Sequence, residues 1–415
     1  MSRENRINDV SRDNYWDKRI SFYVIYYFIA SALNATIKHA FVIQESLYNT
    51  ISIVVGFSMV FFMLVPFGEV WRRSARLLIR IVVLFVVVYL ISFCLVLARG
   101  ETLRFLFRNT AFLTFAWWIP AGVYAYSVKN KEILYKTCLK GSLVISVLML
   151  VLWFSSYNVD NAEEYSMFMG FALIVPLLFH INECFRSRRL VFFLLALLEF
   201  FMIIAFANRG VILSIVTFML FKIVIETKTF VRKLIGIIVV LVVGVVWMLD
   251  YEQIVLFFSE QLGSMGLMSR TLNMVLSGTI TDSSGREEIW QICSKMIIEK
   301  PIFGWGLGGE YLEIAHKMGA APEEIGPGFS PHNGIIQNFV CFGLLGGALA
   351  SLVVIAPFFS IHRIENSYVR YLVAIFTCTS IIPCLVSADG LFTKPAVAIA
   401  LFLFYSRNHS NTEFT

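Results

Sequence analysis

Two positions in one polar stretch combine a reactive side chain with a helix start. The first is Arg286, in Ser284-Gly285-Arg286-Glu287. These four residues fit a capping box, with Ser284 as N-cap and Glu287 returning to its amide. Ile289, Trp290, Cys293, Met296 and Ile297 follow at helical spacing, and Lys300-Pro301 ends the run. A cation in the first turn opposes the helix dipole and costs a few tenths of a kcal/mol, up to about 1. Two readings account for it. Either the guanidinium and the free amides converge on an anion such as a phosphate, in bidentate charge-assisted bonds, or Arg286 pairs with Glu287 or another nearby acid.

The second position is His332, in Pro327-Gly328-Phe329-Ser330-Pro331-His332-Asn333-Gly334. Ser330 as N-cap and Pro331 as the first helical residue would put His332 in the first turn. There the dipole disfavours the imidazolium and keeps the ring a neutral acceptor, the state a general base for a hydroxyl needs. The alternative is an interfacial histidine bonded to a carbonyl or a lipid headgroup. Asn333 either orients the ring or caps the helix. A third cation, Arg209 in Phe206-Ala207-Asn208-Arg209-Gly210, lies between two apolar runs with almost no loop, where it must snorkel, pair or bind something. Glu199, deeper in the preceding run, is an intramembrane carboxylate whose partner is open, with Arg80 one option.

The rest of the chain must position these groups, and it is overwhelmingly apolar. Of 415 residues, 58% are hydrophobic and only 15% charged, with a mean hydropathy of +0.76. The apolar runs are continuous rather than alternating, which excludes a transmembrane barrel. They predict an all-α polytopic membrane protein of about twelve spans, near 19–37, 50–68, 77–98, 109–128, 140–157, 167–180, 189–207, 210–227, 233–249, 335–358, 368–388 and 394–405. The organisation expected is an N-terminal bundle of about nine helices over 1–249, a large loop over 250–334 and about three helices over 335–415. Basic clusters at Arg72-Arg73-Arg76, Lys129 to Lys140 and Arg186-Arg188-Arg189 fall on one side of that layout. Both termini are therefore expected in the cytoplasm and the long loop outside it. The formal charge of +6 is a rim meeting anionic lipid, not a nucleic-acid surface. Residues 1–19 carry no cleavable-signal pattern, and the first span reads as an uncleaved anchor.

Within the long loop, residues 250–284 read as short amphipathic segments on the membrane surface, a sheltered approach for a lipid-linked substrate. From Asp250 to Asn333 there are eleven Asp/Glu against five Lys/Arg, so any anion site must be local. Asp282, Glu287, Glu310, Glu323 and Glu324 are candidates to bind acceptor hydroxyls or orient the arginines. The glycine-rich run Pro301 to Gly309 has neither a preceding strand nor a following Lys-Ser/Thr, so it is a tight packed turn and not a nucleotide fingerprint. Trp305 within it either stacks on a sugar ring or sits at the membrane interface. Cys293 is the only cysteine in this loop, and no Cys/His spacing suggests zinc.

The order of these motifs resembles the bacterial O-antigen polymerase and O-antigen ligase superfamily. The resemblance rests on Asn208-Arg209-Gly210, on Arg286 with Trp290 as Arg-x-x-x-Trp, on Ile298 to Gly308 as Ile-x-x-x-Pro-x-x-Gly-x-Gly, and on His332-Asn333 with Gly343 following. It covers about residues 200–350. It implies a GT-C-like membrane glycosyltransferase of the bacterial inner membrane with a periplasmic catalytic loop. Such enzymes are inverting and metal-independent, use no cofactor, and take their glycan from undecaprenyl diphosphate. Arg209 and Arg286 match the family's essential arginines and His332 its essential histidine, whereas many members have Ser in place of Asn208. Asn333, Trp290, Asn208, Asp282 and Glu287 are supporting candidates.

The chemistry suits those residues. A glycosyl diphosphate carries its own leaving group, so the protein must align the reactants and neutralise charge on the departing diphosphate. The first reading is a polymerase that moves a growing chain onto another lipid-linked repeat, with a chain-length regulator and a flippase as potential partners; it rests on the compact Asn-Arg-Gly and Phe-Ser-Pro-His-Asn signatures. The alternative is a ligase that moves the glycan to lipid A-core. A polytopic transporter is a third reading, weakened because the sequence shows no internal repeat.

Overall fold

The computed structural model describes residues 3–40, 45–98, 106–155, 162–205, 209–227, 229–249, 253, 257, 286–320, 327–386 and 390–406. All regular structure among them is helical. The chain divides into two compact units, one of residues 1–69 and 128–281, the other of 70–127 and 282–415.

The first unit contains α1 (Arg3–Ala40), the first arm of α2 (Glu45–Leu97), α4 (Lys131–Ser155), α5 (Ala162–Ser187), α6 (Leu190–Ala205), α7 (Arg209–Glu226) and α8 (Phe230–Leu249). Helices α1 and α4 pack most extensively, with Gly141 of α4 directly against Ile25. Asp17 of α1 holds the turn into α4, accepting from the Lys129 and Asn130 amides at 3.2 and 2.7 Å. Between α4, α5 and α6 lies a buried polar cluster that names the partner of Glu199. Its carboxylate faces His180 Nδ1 at 2.8 and 3.0 Å and accepts from Ser146 Oγ. One turn further along α5, Tyr135 donates to Glu183 at 3.0 Å, Asn182 donates to Tyr135 at 2.7 Å, and Lys222 of α7 donates to Asn182 at 2.9 Å. Each of these groups lies in apolar surroundings, where an unpaired polar atom is costly, so together they fix the register of four helices.

The second unit contains the rest of α2, two π-helical turns (Phe107–Ala111 and Thr114–Trp118), α3 (Ile119–Ser127), α9 (Arg286–Glu299), α10 (Gly309–Lys317), α11 (Gly334–Ser360), α12 (Ser367–Phe376), a third π-helical turn (Thr377–Ile381), α13 (Ile382–Val386) and α14 (Pro395–Tyr405). Helix α14 is wholly buried from Pro395 to Phe404 and packs on α3 and α12. The chain before it is tied to the π-helical region: Trp118 Nε1 donates to Leu391 O at 2.9 Å and Thr114 Oγ1 to Phe392 O at 2.8 Å.

The span count corrects the hydropathy reading. Among the described residues six helices are long and apolar enough to cross a membrane, not about twelve: Ser11–Lys38, Glu45–Leu97, Lys131–Ser155, Met169–Ser187, Gly334–Arg363 and Ser367–Leu385. The physical reasons are local. The runs 50–68 and 77–98 fuse into α2, whose bend at Ser74 (φ −139°, ψ 18°) takes the place of the expected loop. Ser74 Oγ pairs with Ser127 Oγ at 2.7 Å and Arg73 donates to Ser127 O at 3.1 Å, which holds that bend. The run 109–128 is divided into two π-helical turns and the nine-residue α3. Leu190–Ile204 and Pro395–Tyr405 are apolar but shorter than the roughly 20 residues a hydrocarbon core requires. Helices α7 and α8 are not among the six. The chain is a multi-pass membrane protein with an all-α fold.

Candidate catalytic loop and its frame

Helix α9 begins at Arg286 among the described residues; Ser284, and with it the expected capping box, lies outside them. Glu287 and Glu288 in its first turn suit the helix dipole, and Arg286, half-buried, opposes it. Ile289, Cys293 and Met296 form the buried face and pack with Trp305, Ile314 and Val340. Burial pushes the Cys293 thiol up to about 12, which leaves it an inert packing group. Trp290 belongs to the other edge. Its indole Nε1 donates to Pro331 O at 2.8 Å. Arg286 and Trp290 are four residues apart and share a helix face, so the face that carries Arg286 is tied to the residue preceding His332. The Arg-x-x-x-Trp spacing thus has a mechanical meaning: the tryptophan is a tether. Trp290→Phe, which keeps the ring and removes the donor, is expected to lower the unfolding free energy by about 0.5–1.5 kcal/mol in equilibrium unfolding of the detergent-solubilised protein.

The start of α11 differs from the sequence expectation. Asn333, not Ser330, is the N-cap: its side chain accepts from the Ile335 and Ile336 amides at 3.0 and 3.1 Å. Pro331 and His332 therefore precede the helix, and His332 is not in its first turn. The carboxamide is held from outside the local sequence, since Asn333 Nδ2 donates to Leu385 O at 2.8 Å. That tertiary bond fixes asparagine as the cap, and it explains why capping propensity alone misplaces the boundary. His332 takes a left-handed backbone conformation, φ 50°, uncommon for a residue with a Cβ. Its Nδ1 lies 3.3 Å from Oγ of the fully buried Ser330. When Nδ1 carries the hydrogen and donates to Ser330, Nε2 is left as the acceptor, the arrangement a general base requires.

Behind this start runs a polar link that sequence reading missed. Gln337 accepts from the Gly390 amide at 2.9 Å and donates to Glu310 Oε1 at 2.8 Å. Its position one turn after Asn333, where Gln337-Asn338 interrupts an apolar span, is the available signal. Glu310, the second residue of α10, is fully buried, with Oε2 lacking a hydrogen-bond partner among the described residues. It braces the frame and is too deep to meet an acceptor sugar. Burial raises its pKa from the ordinary 4.5 to about 7. The fold thus favours the neutral acid, so its stabilising contribution is complete below pH 4.5 and is lost as pH rises towards 7. Unfolding measured across that window should show stability falling with pH in the wild type and a flatter profile in Glu310→Gln.

The glycine-rich turn is the packed element the sequence suggested. Helix α11 breaks at Gly343 (φ 70°, ψ −170°), and the chain from Pro301 lies along the break. The Trp305 amide donates to Val340 O at 2.8 Å, the Gly306 amide to Cys341 O at 3.0 Å, and the Leu344 amide to Pro301 O at 2.7 Å. A Cβ at Gly304 would lie 2.5 Å from the Val340 carbonyl oxygen. Trp305 does not offer a sugar-stacking face. It is buried, donates through Nε1 to Met296 O at 3.0 Å, and has the Lys300 ammonium 3.8 Å from its ring centroid.

The second unit therefore gathers Arg286, Glu287, Trp290, His332 and Asn333. Arg209 is the first residue of α7 in the first unit, and its side chain lies outside the described residues, as do Asn208, Asp282, Glu323 and Glu324.

Residues 190–351 match the family model described as O-antigen ligase (Wzy_C). The chain carries an O-antigen-ligase-type domain over part of its length. That ligase-type domain starts at α6 and ends within α11, so it contains Arg209, Arg286 and His332 and points to the superfamily whose motifs the sequence resembles. No curated protein and no solved structure matches the chain.

Proposed function

We propose that this protein is an inverting glycan transferase that moves a glycan from undecaprenyl diphosphate to a sugar hydroxyl. The observation that carries the reading is the ligase-type domain over 190–351, because it encloses the three residues whose chemistry suits the step. Arg286, presented on the face that Trp290 ties to Pro331, binds the diphosphate and offsets the charge that grows as the glycosidic C–O bond breaks. The family resemblance gives Arg209 the same role. His332 accepts the hydroxyl proton through Nε2 as the acceptor oxygen attacks the face opposite the diphosphate. One displacement inverts the anomeric centre, and the diphosphate leaves on its lipid. These roles require no metal.

The family description turns the order of the two acceptor readings. Ligase, with lipid A-core as acceptor, comes first; polymerase comes second, supported by the compact signatures around Arg209 and His332. Reconstitution with a purified lipid-linked glycan separates them. Product on lipid A-core identifies a ligase, and a ladder that stays on undecaprenyl diphosphate identifies a polymerase.

A further inference from the structure

The turn between α5 and α6 carries a feature that glycan transfer does not use. Helix α5 ends at Ser187, and Arg188 makes the reversal in a left-handed conformation, φ 53°, with its amide bonded to Cys184 O at 2.8 Å. Glycine or asparagine adopts that conformation far more readily than arginine. The result is two consecutive arginines, Arg188 and Arg189, at the mouth of an open depression of about 430 Å³ whose other walls are Cys184, Phe185, Leu190 and Phe193. Both arginines are exposed, and among the described residues neither makes an ion pair or a side-chain hydrogen bond. Arg186 beside them is occupied, held by Glu183 at 2.9 Å.

The walls are as informative as the charges. Phe185, Leu190 and Phe193 are each more than half exposed, a fraction that suits acyl chains and not water. Because the stretch Met169–Ser187 of α5 is long and apolar enough to cross a membrane, the turn that follows it falls at the end of the hydrocarbon, at headgroup level. Two unpaired guanidiniums above an apolar wall match an amphiphile with a phosphate at one end and acyl chains at the other.

We propose that the α5–α6 turn is a binding site for the phosphate headgroup of an anionic phospholipid, gripped by Arg188 and Arg189 with its chains against Phe185, Leu190 and Phe193. The test uses the delipidated full-length protein in neutral detergent, with bound lipid counted by native mass spectrometry during titration with phosphatidylglycerol, phosphatidylcholine or inorganic phosphate. Arg188→Asn with Arg189→Gln removes both charges while keeping a residue that tolerates the left-handed turn. Arg232→Gln with Lys233→Gln removes two adjacent charges at the start of α8, neither of which lines the depression.

The expected result is preferential retention of phosphatidylglycerol, weakened about 25-fold in the Arg188/Arg189 variant, at roughly fivefold for each cation near an anionic surface. The Arg232/Lys233 variant should bind as wild type does. Equal weakening in both variants would reduce the site to general rim electrostatics. Retention of phosphatidylcholine as strong as that of phosphatidylglycerol would also overturn the proposal. So would inorganic phosphate competing at the concentration of the lipid, which would mark a free-anion site. An Arg188/Arg189 variant that stays monodisperse with unchanged lipid retention would refute it outright.

Discussion

Arg286→Ala is expected to lower glycan transfer by about 10²–10³-fold, the usual loss when one preorganised group that stabilises transition-state charge is removed. The effect should fall mainly on the rate of the chemical step, because diphosphate charge increases as the sugar departs. Arg286→Lys should recover only part of the activity, since an ammonium supplies the charge without the two-pronged geometry. Lys295→Ala, an exposed cation on the same helix, should leave transfer unchanged. Initial rates with a purified lipid-linked donor check all three. A lysine variant as active as wild type would show that only general positive charge matters there.

Gly343→Ala should cost the fold about 1–3 kcal/mol from backbone strain alone, because φ 70° with ψ −170° lies in a region that essentially only glycine occupies. The added Cβ would also sit 2.5 Å from the carbonyl oxygens of Pro301 and Ile302. Those contacts are backbone to backbone, so no side chain can swing aside. The Leu344 to Pro301 bond and the two amide bonds from Trp305 and Gly306 would be disturbed together, loosening the glycine-rich turn from α11. Equilibrium unfolding should therefore show a loss larger than that of Gly319→Ala, where a Cβ meets nothing within 4 Å. Equal losses at the two glycines would indicate that the close approach at the α11 break contributes nothing beyond the left-handed backbone.

The sequence made the packed face of α9 legible more readily than the geometry of the scaffold. The periodicity of Ile289, Cys293 and Met296 marks the buried face of α9 directly, and Lys300-Pro301 stops the helix where it ends. Hydropathy does not reveal whether two apolar runs are separate helices. The junction at Ser74 is settled by Ser127, more than fifty residues away, so hydropathy alone reads 50–68 and 77–98 as two spans. The start of α11 shows the same limit at smaller scale. Ser330-Pro331 is a good local start signal, but Asn333 has both the capping geometry and the distant Leu385 carbonyl, and the tertiary contact decides. In sequence Glu310 is one of five acids that could bind acceptor hydroxyls or orient the arginines; its burial beside Gln337, which also accepts from the Gly390 amide, is something no local pattern announces. Glu199 was the converse case, a costly charge whose existence was plain and whose partner, His180, required the helix packing.

These frames converge on His332, whose backbone is strained, whose neighbour Pro331 is tethered by Trp290, and whose following residue caps α11. The proposed division of roles is that this held imidazole takes the acceptor proton while Arg286 holds the diphosphate. It is tested most directly by single-turnover transfer in proteoliposomes loaded with purified undecaprenyl-diphosphate-linked glycan and acceptor, comparing wild type with His332→Ala. Transfer is expected to fall by about 10²–10⁴-fold, the range for loss of a general base, with donor binding retained through the arginines. Transfer by His332→Ala at the wild-type rate, or loss of donor binding equal to the loss of rate, would contradict it.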